Sequence, residues 1–308
     1  MEIATYCEPR VHQELLQELR QQGIDESIGR VEDMDSDQLR AVRIIFGWRI
    51  PQTVIDACPS LEWIQGAGAG VDWLMPVRLP PGVAITRIVD QFGPDMGEFA
   101  LMAALNWVKD WPRIYRQQVD HEWSPYLVGQ LKVLRVGVLG AGSIGAHIAQ
   151  MFRPLVAEVR ALGRREPTIP GVLGFAADAW PQFYDNLDCL VMVLPHTPET
   201  IHMVGAEQLA LMRRGAYLIN VGRGAVLDEA ALSAAVESGQ LSGAALDVLE
   251  HEPLPPESPL WELPGVTISP HVSGPSRRAG MAEIFAENLA RFRRGEALLG
   301  LVDRGRGY

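Results

Sequence analysis

The sequence predicts an α/β protein of two lobes, each a doubly wound parallel sheet covered by helices. Three observations carry that prediction. Short apolar runs of strand length alternate with amphipathic segments in two separate blocks, one ending near Thr86 and one running from Arg135 to His271. The second block opens on a strand, a glycine fingerprint and a helix in direct succession. The chain of 308 residues is also too long for one small core and sufficient for two domains of ordinary size.

In the first block, residues 3–6, 43–46, 63–65 and 84–86 read as strands. Residues 11–21 read as a helix, with Val11, Leu15, Leu16 and Leu19 at helical spacing and Gly23 as its stop. Pro80-Pro81-Gly82 is a turn. A long helix-prone segment begins near Asp95 and carries few breakers from Met96 to Asp110. Pro112 interrupts it, and it continues through Tyr115 to Val119. Its aromatics, Trp107, Trp111, Tyr115 and Trp123, admit two readings: packing within the chain, or a subunit interface, where Trp and Tyr are enriched. The second block has strands expected at 136–139, 159–162, 190–194, 216–220, 244–249 and 267–269. Residues 279–294 read as an amphipathic helix, with Ile284, Leu289 and Phe292 near one face and arginines towards its end.

Hydrophobic residues make up 47% of the chain and charged residues 21%, the composition of an ordinary globular protein. A net charge of −11, with no basic stripe, argues against a nucleic-acid partner. Three widely spaced cysteines, Cys7, Cys58 and Cys189, suggest neither a disulfide framework nor a metal site. The N-terminus lacks a basic region followed by an apolar run, and no apolar stretch approaches membrane-spanning length. The expectation is a soluble, cytoplasmic protein with no membrane partner.

Gly140-Ala141-Gly142-Ser143-Ile144-Gly145 lies between an expected strand and an expected helix, the context in which such a fingerprint binds a dinucleotide. Gly140 permits the tight turn, Gly142 lets backbone approach a pyrophosphate, and Gly145 lets helix and strand pack closely. Ser143 and Ile144 open the helix whose N-terminus faces the phosphates. An NAD site usually places an acid about twenty residues further on. This chain has Leu162-Gly163-Arg164-Arg165 there. A guanidinium pairs with a 2′-phosphate that a carboxylate would repel, so NADP(H) is expected, with Arg164 first and Arg165 second. The competing reading makes both arginines solvated turn residues.

Three further motifs follow the fingerprint: Asn220-Val221-Gly222-Arg223-Gly224, Asp247-Val248-Leu249-Glu250-His251-Glu252-Pro253-Leu254 and Ser269-Pro270-His271-Val272. They supply a cation, a carboxylate and an imidazole downstream of a cofactor loop, the set needed to reduce a 2-keto acid. Each alone has an ordinary structural reading; the roles are mutually required. His251 lacks the Pro-His context and reads as structural.

The order of these motifs resembles the D-2-hydroxyacid dehydrogenase family along nearly the whole chain. Gly68-Ala69-Gly70-Val71-Asp72, the run from Glu252 to Trp261 and the tail from Val302 to Tyr308 look most like its glyoxylate/hydroxypyruvate reductase A branch. The resemblance implies two Rossmann-like lobes. The substrate lobe, 1–94, is discontinuous and completed by 275–308, and residues 95–274 form the dinucleotide-binding lobe. It implies that Arg223 holds the substrate carboxylate and carbonyl, that His271 is the general acid, and that Glu252 orients it. A neighbouring carboxylate favours a protonated imidazole.

The same resemblance gives Ala69 and Gly70 backbone contacts to the substrate carboxylate, and gives Asp247 the nicotinamide carboxamide. Leu194, Pro195, Val221 and Gly222 border the cofactor. The expected activity is NADPH-dependent reduction of a small anionic 2-keto acid such as glyoxylate or hydroxypyruvate, by a homodimer, with NADH as a weaker cofactor and no metal. Trp48, beside Arg49, reads equally as a substrate wall or as core. His196 and the stretch from Ser273 to Arg278 depart from the family pattern, which leaves substrate preference open; Arg277 adds positive charge there. The alternatives are a phosphoglycerate-type dehydrogenase and a dinucleotide-sensing relative without activity. A formate dehydrogenase carries Gln where this chain has Glu252.

Overall fold

The computed structural model describes residues 2–307. The chain divides into a terminal unit, built from the segment up to Phe92 and from Ser276 onward, and a central unit, Gly93–Pro275. It begins with β1 (Ile3–Tyr6), α1 (Pro9–Gln21), β2 (Ile28–Arg30), α2 (Ser36–Arg40), β3 (Ile44–Gly47), α3 (Gln52–Ala57), β4 (Trp63–Gly66) and β5 (Ala84–Thr86). The central unit follows with α4 (Gly93–Val108), α5 (Trp111–Val119), β6 (Arg135–Leu139), α6 (Ser143–Phe152), β7 (Glu158–Leu162), β8 (Leu173–Phe175) and α7 (Trp180–Tyr184). It continues with β9 (Cys189–Met192), α8 (Ala206–Leu211), β10 (Ala216–Asn220), α9 (Glu229–Glu237), β11 (Leu241–Leu246) and β12 (Val266–Ile268). The last helix, α10 (Arg278–Arg294), belongs to the terminal unit.

The terminal sheet has the order β2-β1-β3-β4-β5, with every pairing parallel. Such strands are buried on both faces and so are nearly continuous in apolar residues, as Ile44, Ile45 and Phe46 are. α10 covers this sheet by placing Phe285 flat against Trp63, ring centroids 5.3 Å apart, and edge-on to Phe46 at 5.4 Å. Asn288, on the same helix, is fully buried and hydrogen-bonded. Its Nδ2 donates to Gln65 Oε1 and the Leu299 carbonyl, and its Oδ1 accepts from Leu299 N–H at 2.7 Å.

The central sheet has the order β12-β11-β10-β9-β6-β7-β8, again all parallel. The chain runs outward from β6 to β8, returns to β9 and runs outward the other way. The reversal between β6 and β9 is the switch point at which open α/β sheets place ligands, outside the carboxyl ends of the strands. Two of the three free cysteines are buried, Cys58 in the terminal core and Cys189 on β9.

The structure differs from the sequence expectation in several places, and the short helices α2, α3, α7, α8 and α9 lie where no helix had been singled out. β2 and β8 were not expected: each is a three-residue strand at a sheet edge, only partly buried, with no apolar run to mark it. β11 starts at Leu241, earlier than expected, because the turn-like Ser242-Gly243 lies inside the ladder. A Cβ at Gly243 would stand 2.0 Å from the Gly265 carbonyl oxygen, so only glycine fits that crossing. β9 stops at Met192, and Val193 and Leu194 pass into the site loop. Pro112 sits at the start of α5, where a missing N–H costs nothing, and left-handed Asp110 makes the break.

Candidate active site

The candidate residues of this unit follow the carboxyl ends of six of the seven central strands, on loops except for Ser143, Ile144 and Gly145, which form the first turn of α6. After β6, Gly140 has φ of +105°, and a Cβ there would lie 2.8 Å from the Val193 carbonyl oxygen. At Gly145 a Cβ would fall 1.7 Å from the Gly140 carbonyl oxygen. The fold itself therefore requires both glycines. Gly142 is different: nothing lies within 4 Å of its Cβ position, it is exposed, and no side chain caps α6 there. The amides of Ser143, Ile144 and Gly145 begin a helix, where backbone donors lack intrahelical acceptors. An open cradle at a helix N-terminus fits a pyrophosphate.

After β7, Gly163 N–H donates to the Phe175 carbonyl at 3.1 Å, and Arg164 and Arg165 follow, both exposed. The Glu199 carboxyl is held below the usual carboxylate range, first by Thr197, then by its own backbone amide, with the Arg164 charge adding less. After β9, Leu194 and Pro195 form a loop closed by Thr200, whose hydroxyl donates to the Pro195 carbonyl at 2.8 Å. His196 is half-buried in this loop.

After β10, Asn220 shapes the Arg223 turn. Its side chain is fully buried; Oδ1 accepts from Gly222 N–H at 3.1 Å and Nδ2 donates to the Arg223 carbonyl at 3.2 Å. Val221 is buried, and Gly222 sits against Leu194, where a Cβ would meet the Leu194 nitrogen at 2.8 Å. The loops after β9 and β10 thus touch backbone to backbone. Arg223 is half-buried, and its Nη1 donates to the Gly222 carbonyl at 2.9 Å.

After β11 and β12 come the acid and the imidazole. His271 Nδ1 lies 2.9 Å from Glu252 Oε2, and Glu252 Oε1 accepts from Leu249 N–H at 3.1 Å. His271 has φ of +55°, a left-handed conformation that costs free energy in a residue with a side chain. Its amide donates to the Asp247 carbonyl at 3.0 Å. The Asp247 carboxylate, 1% exposed, accepts from Ser269 Oγ at 2.6 Å, Val272 N–H at 2.9 Å and Ser273 N–H at 2.8 Å. Asp247 therefore clasps the segment that carries His271, a role the sequence motifs did not indicate. Asn220 was also missed, although its place before the Gly-Arg-Gly turn is the signal of a side chain able to bond the backbone two residues on. His251 is exposed, and beside it Glu250 pairs with His202.

Residues 101–273 match the family model described as the D-isomer specific 2-hydroxyacid dehydrogenase, NAD binding domain. The chain belongs to the D-isomer specific 2-hydroxyacid dehydrogenase family. It is an NAD(P)-dependent dehydrogenase by that membership. Among solved structures, it is similar to a D-isomer specific 2-hydroxyacid dehydrogenase from Xanthobacter autotrophicus in complex with NADPH and MES. The identity is 34%, the TM-score 0.92, and the match covers 100% of this chain and 99% of that one. It is also similar to an NADPH-dependent glyoxylate/hydroxypyruvate reductase from Sinorhizobium meliloti in complex with NADP and sulfate, at 27% identity, TM-score 0.91 and 100% of both chains. A probable 2-hydroxyacid dehydrogenase from Rhizobium etli, in complex with NADP, HEPES and tartaric acid, matches at 29% identity and TM-score 0.89, over 100% and 99% of the two chains.

In the terminal unit of this dehydrogenase, Gly68, Ala69 and Gly70 follow β4, and the Gly68 carbonyl accepts from Ile88 N–H at 2.9 Å. Trp48 is half-buried against this loop: a Cβ at Gly68 would lie 2.8 Å from its ring, and Trp73 flanks it at 5.8 Å. Arg49 and Arg277 are exposed. In the central unit, Trp107 packs within the chain, stacked on Tyr217 at 5.2 Å and bonded to Ser242. Trp111, Tyr115 and Trp123 face solvent instead, Trp123 at 95% exposure, with Leu127 beyond it at 100%. No helix among the described residues is long and apolar enough to cross a membrane.

Proposed function

We propose that the chain is an NADPH-dependent reductase of small 2-keto acids such as glyoxylate and hydroxypyruvate. The observation that carries this reading is the 2.9 Å contact of His271 Nδ1 with the Glu252 carboxylate, on loops at the same strand ends as the fingerprint and Arg223. NADP-bound relatives of similar length and fold support the cofactor.

The residues that would hold NADPH fit it. Gly140, Gly142, Ser143, Ile144 and Gly145 form the phosphate cradle, and Arg164 and Arg165 offer guanidinium donors to a 2′-phosphate. Leu194, Pro195, Val221 and Gly222 border the cofactor, and the one carboxylate acceptor site that Asp247 has to spare is assigned to the carboxamide. When bound, NADPH supplies the hydride that reduces the substrate carbonyl. Arg223 donates to the substrate carboxylate and to the carbonyl oxygen, stabilising negative charge as it develops there. Glu252 accepts the Nδ1 hydrogen of His271, which fixes the ring and leaves Nε2–H to protonate that oxygen. Ala69 and Gly70 amides are read as further donors to the carboxylate, and Trp48 as a wall limiting side-chain size. The domain roles follow: cofactor binding in 95–274, substrate binding in 1–94 with 275–308.

A homodimer belongs to the same reading, formed through the face of Trp111, Tyr115 and Trp123, because rigid aromatics exposed in one stretch suit an interface. A cytoplasmic location is retained from the sequence. The test is a panel of 2-keto acids with NADPH and NADH in parallel. Glyoxylate or hydroxypyruvate should be reduced with NADPH, and His271→Ala should lower turnover by about two to four decades while NADPH still binds. No turnover with any small 2-keto acid would overturn the proposal, and a preference for a phosphorylated one would redirect it to the phosphoglycerate type.

A further inference from the structure

One peptide unit, between Leu249 and Glu250, lies where the two halves of the site meet. Gly224, the residue after Arg223, packs on it so closely that a Cβ there would fall 1.9 Å from the Leu249 carbonyl carbon and 2.4 Å from the Glu250 nitrogen. The preceding peptide unit, joined to it through the Leu249 Cα, turns its Leu249 N–H to the same Glu252 carboxylate that meets His271. The two consecutive peptide units that meet at Leu249 therefore link the Arg223 turn to the Glu252–His271 pair.

The next amide along, Glu250 N–H, is taken by Glu229 Oε1 at 2.9 Å. Glu229 is the first residue of α9, and Asp228 caps that helix by accepting from Ala230 and Ala231 N–H, both at 3.0 Å. A capped first turn is a rigid mount. The Glu250 side chain is engaged elsewhere, with His202. Glu229 is half-buried, carries no role in the chemistry above, and sits in no motif that the sequence singled out.

We propose that Glu229 is a positioning residue: its carboxylate holds the 249–250 peptide and so sets where Glu252 aims His271. The inference rests on the reading of His271 as the proton donor. Displacements of about 1 Å in such a constellation cost on the order of a hundredfold in rate.

The experiment uses the full chain with NADPH and glyoxylate or hydroxypyruvate, whichever is turned over. Glu229→Ala should lower kcat by about 10- to 100-fold with NADPH affinity unchanged. Glu229→Gln, whose carbonyl oxygen still accepts, should recover most of that loss. Glu229→Asp keeps the charge but is one methylene short, and should behave like the alanine variant; it carries the test alone if alanine does not fold. In a His271→Ala background the Glu229 substitutions should cost nothing further, since both act on one step. Hydrogen exchange without ligand should show faster exchange at the Glu250 amide in the Ala and Asp variants. Wild-type kcat in both Ala and Asp, a Gln variant no better than Ala, or a full additional loss in the His271→Ala background would overturn the proposal. If His271→Ala itself left turnover intact, the reading of the proton donor would fail instead, a different result.

Discussion

Asp247→Asn should release one backbone amide of the His271 segment and only one. The wild-type carboxylate places Oδ1 on Ser269 Oγ and Val272 N–H, and Oδ2 on Ser273 N–H. Asparagine has one acceptor oxygen and one NH2 group. With its oxygen towards Val272, the NH2 faces Ser273 N–H, donor against donor. With the amide flipped, Ser273 is satisfied, Ser269 Oγ turns to accept, and Val272 N–H is stranded. Either way one charge-assisted hydrogen bond is lost, worth about 1.5–3 kcal/mol, or roughly one to two decades in the local opening equilibrium. Residue-resolved hydrogen exchange on the ligand-free protein reads this directly. One of the two amides should exchange about 10- to 100-fold faster while the other keeps its protection. Asp247→Ala should release both. Unchanged protection of both amides in the alanine variant would refute the clasp.

Three other outcomes are expected. Arg164→Ala should weaken NADPH binding by about one to two decades and leave NADH nearly untouched, measured by titration with each; equal losses would remove Arg164 from the 2′-phosphate. Phe285→Ala empties a fully buried site against Trp63 and Phe46, and should destabilise the protein by about 3–5 kcal/mol in chemical denaturation, with a loss below about 1 kcal/mol contradicting the packing. Burial holds the Glu229 carboxyl above its ordinary value, with the Glu250 charge adding and the Glu250 amide opposing. A carboxyl raised in the folded state contributes stability below its unfolded pKa and loses it as pH rises through the folded one. The thermal midpoint of Glu229→Gln should therefore gain on wild type as pH rises from the ordinary carboxylate range; a gap constant with pH would contradict the shift.

The strands of the fold were largely legible because parallel strands buried on both faces leave apolar runs that survive in sequence, as Cys189–Met192 and Ala216–Asn220 do. Edge strands such as Ile28–Arg30 escaped because one neighbour and one partly buried face ask little of composition. Arg223, Glu252 and His271 stood out through motifs in which glycine or proline marks a constrained backbone. Of what holds them, only Asn220 had a local signal, since it bonds the backbone two and three residues on. Glu229 and Asp247 act through hydrogen bonds to backbone amides 21 to 26 residues away, and any local sequence presents those amides alike. Only the crossing of loops, such as Leu249–Glu250 over Gly224, tells which amide is within reach.

The buried thiols have a practical consequence. Burial pushes the Cys58 thiol up to about 11 and raises that of Cys189 as well, with Asp188 adding to the latter. The thiolate is the species that alkylating reagents trap, so near neutral pH neither cysteine reacts until its surroundings open. One belongs to the terminal unit and the other to the central unit. The native chain thus carries an intrinsic stopwatch in each half. Mass-resolved labelling at Cys58 and Cys189 times the loosening of the two separately, with no introduced probe, while the partly exposed Cys7 serves as the running control.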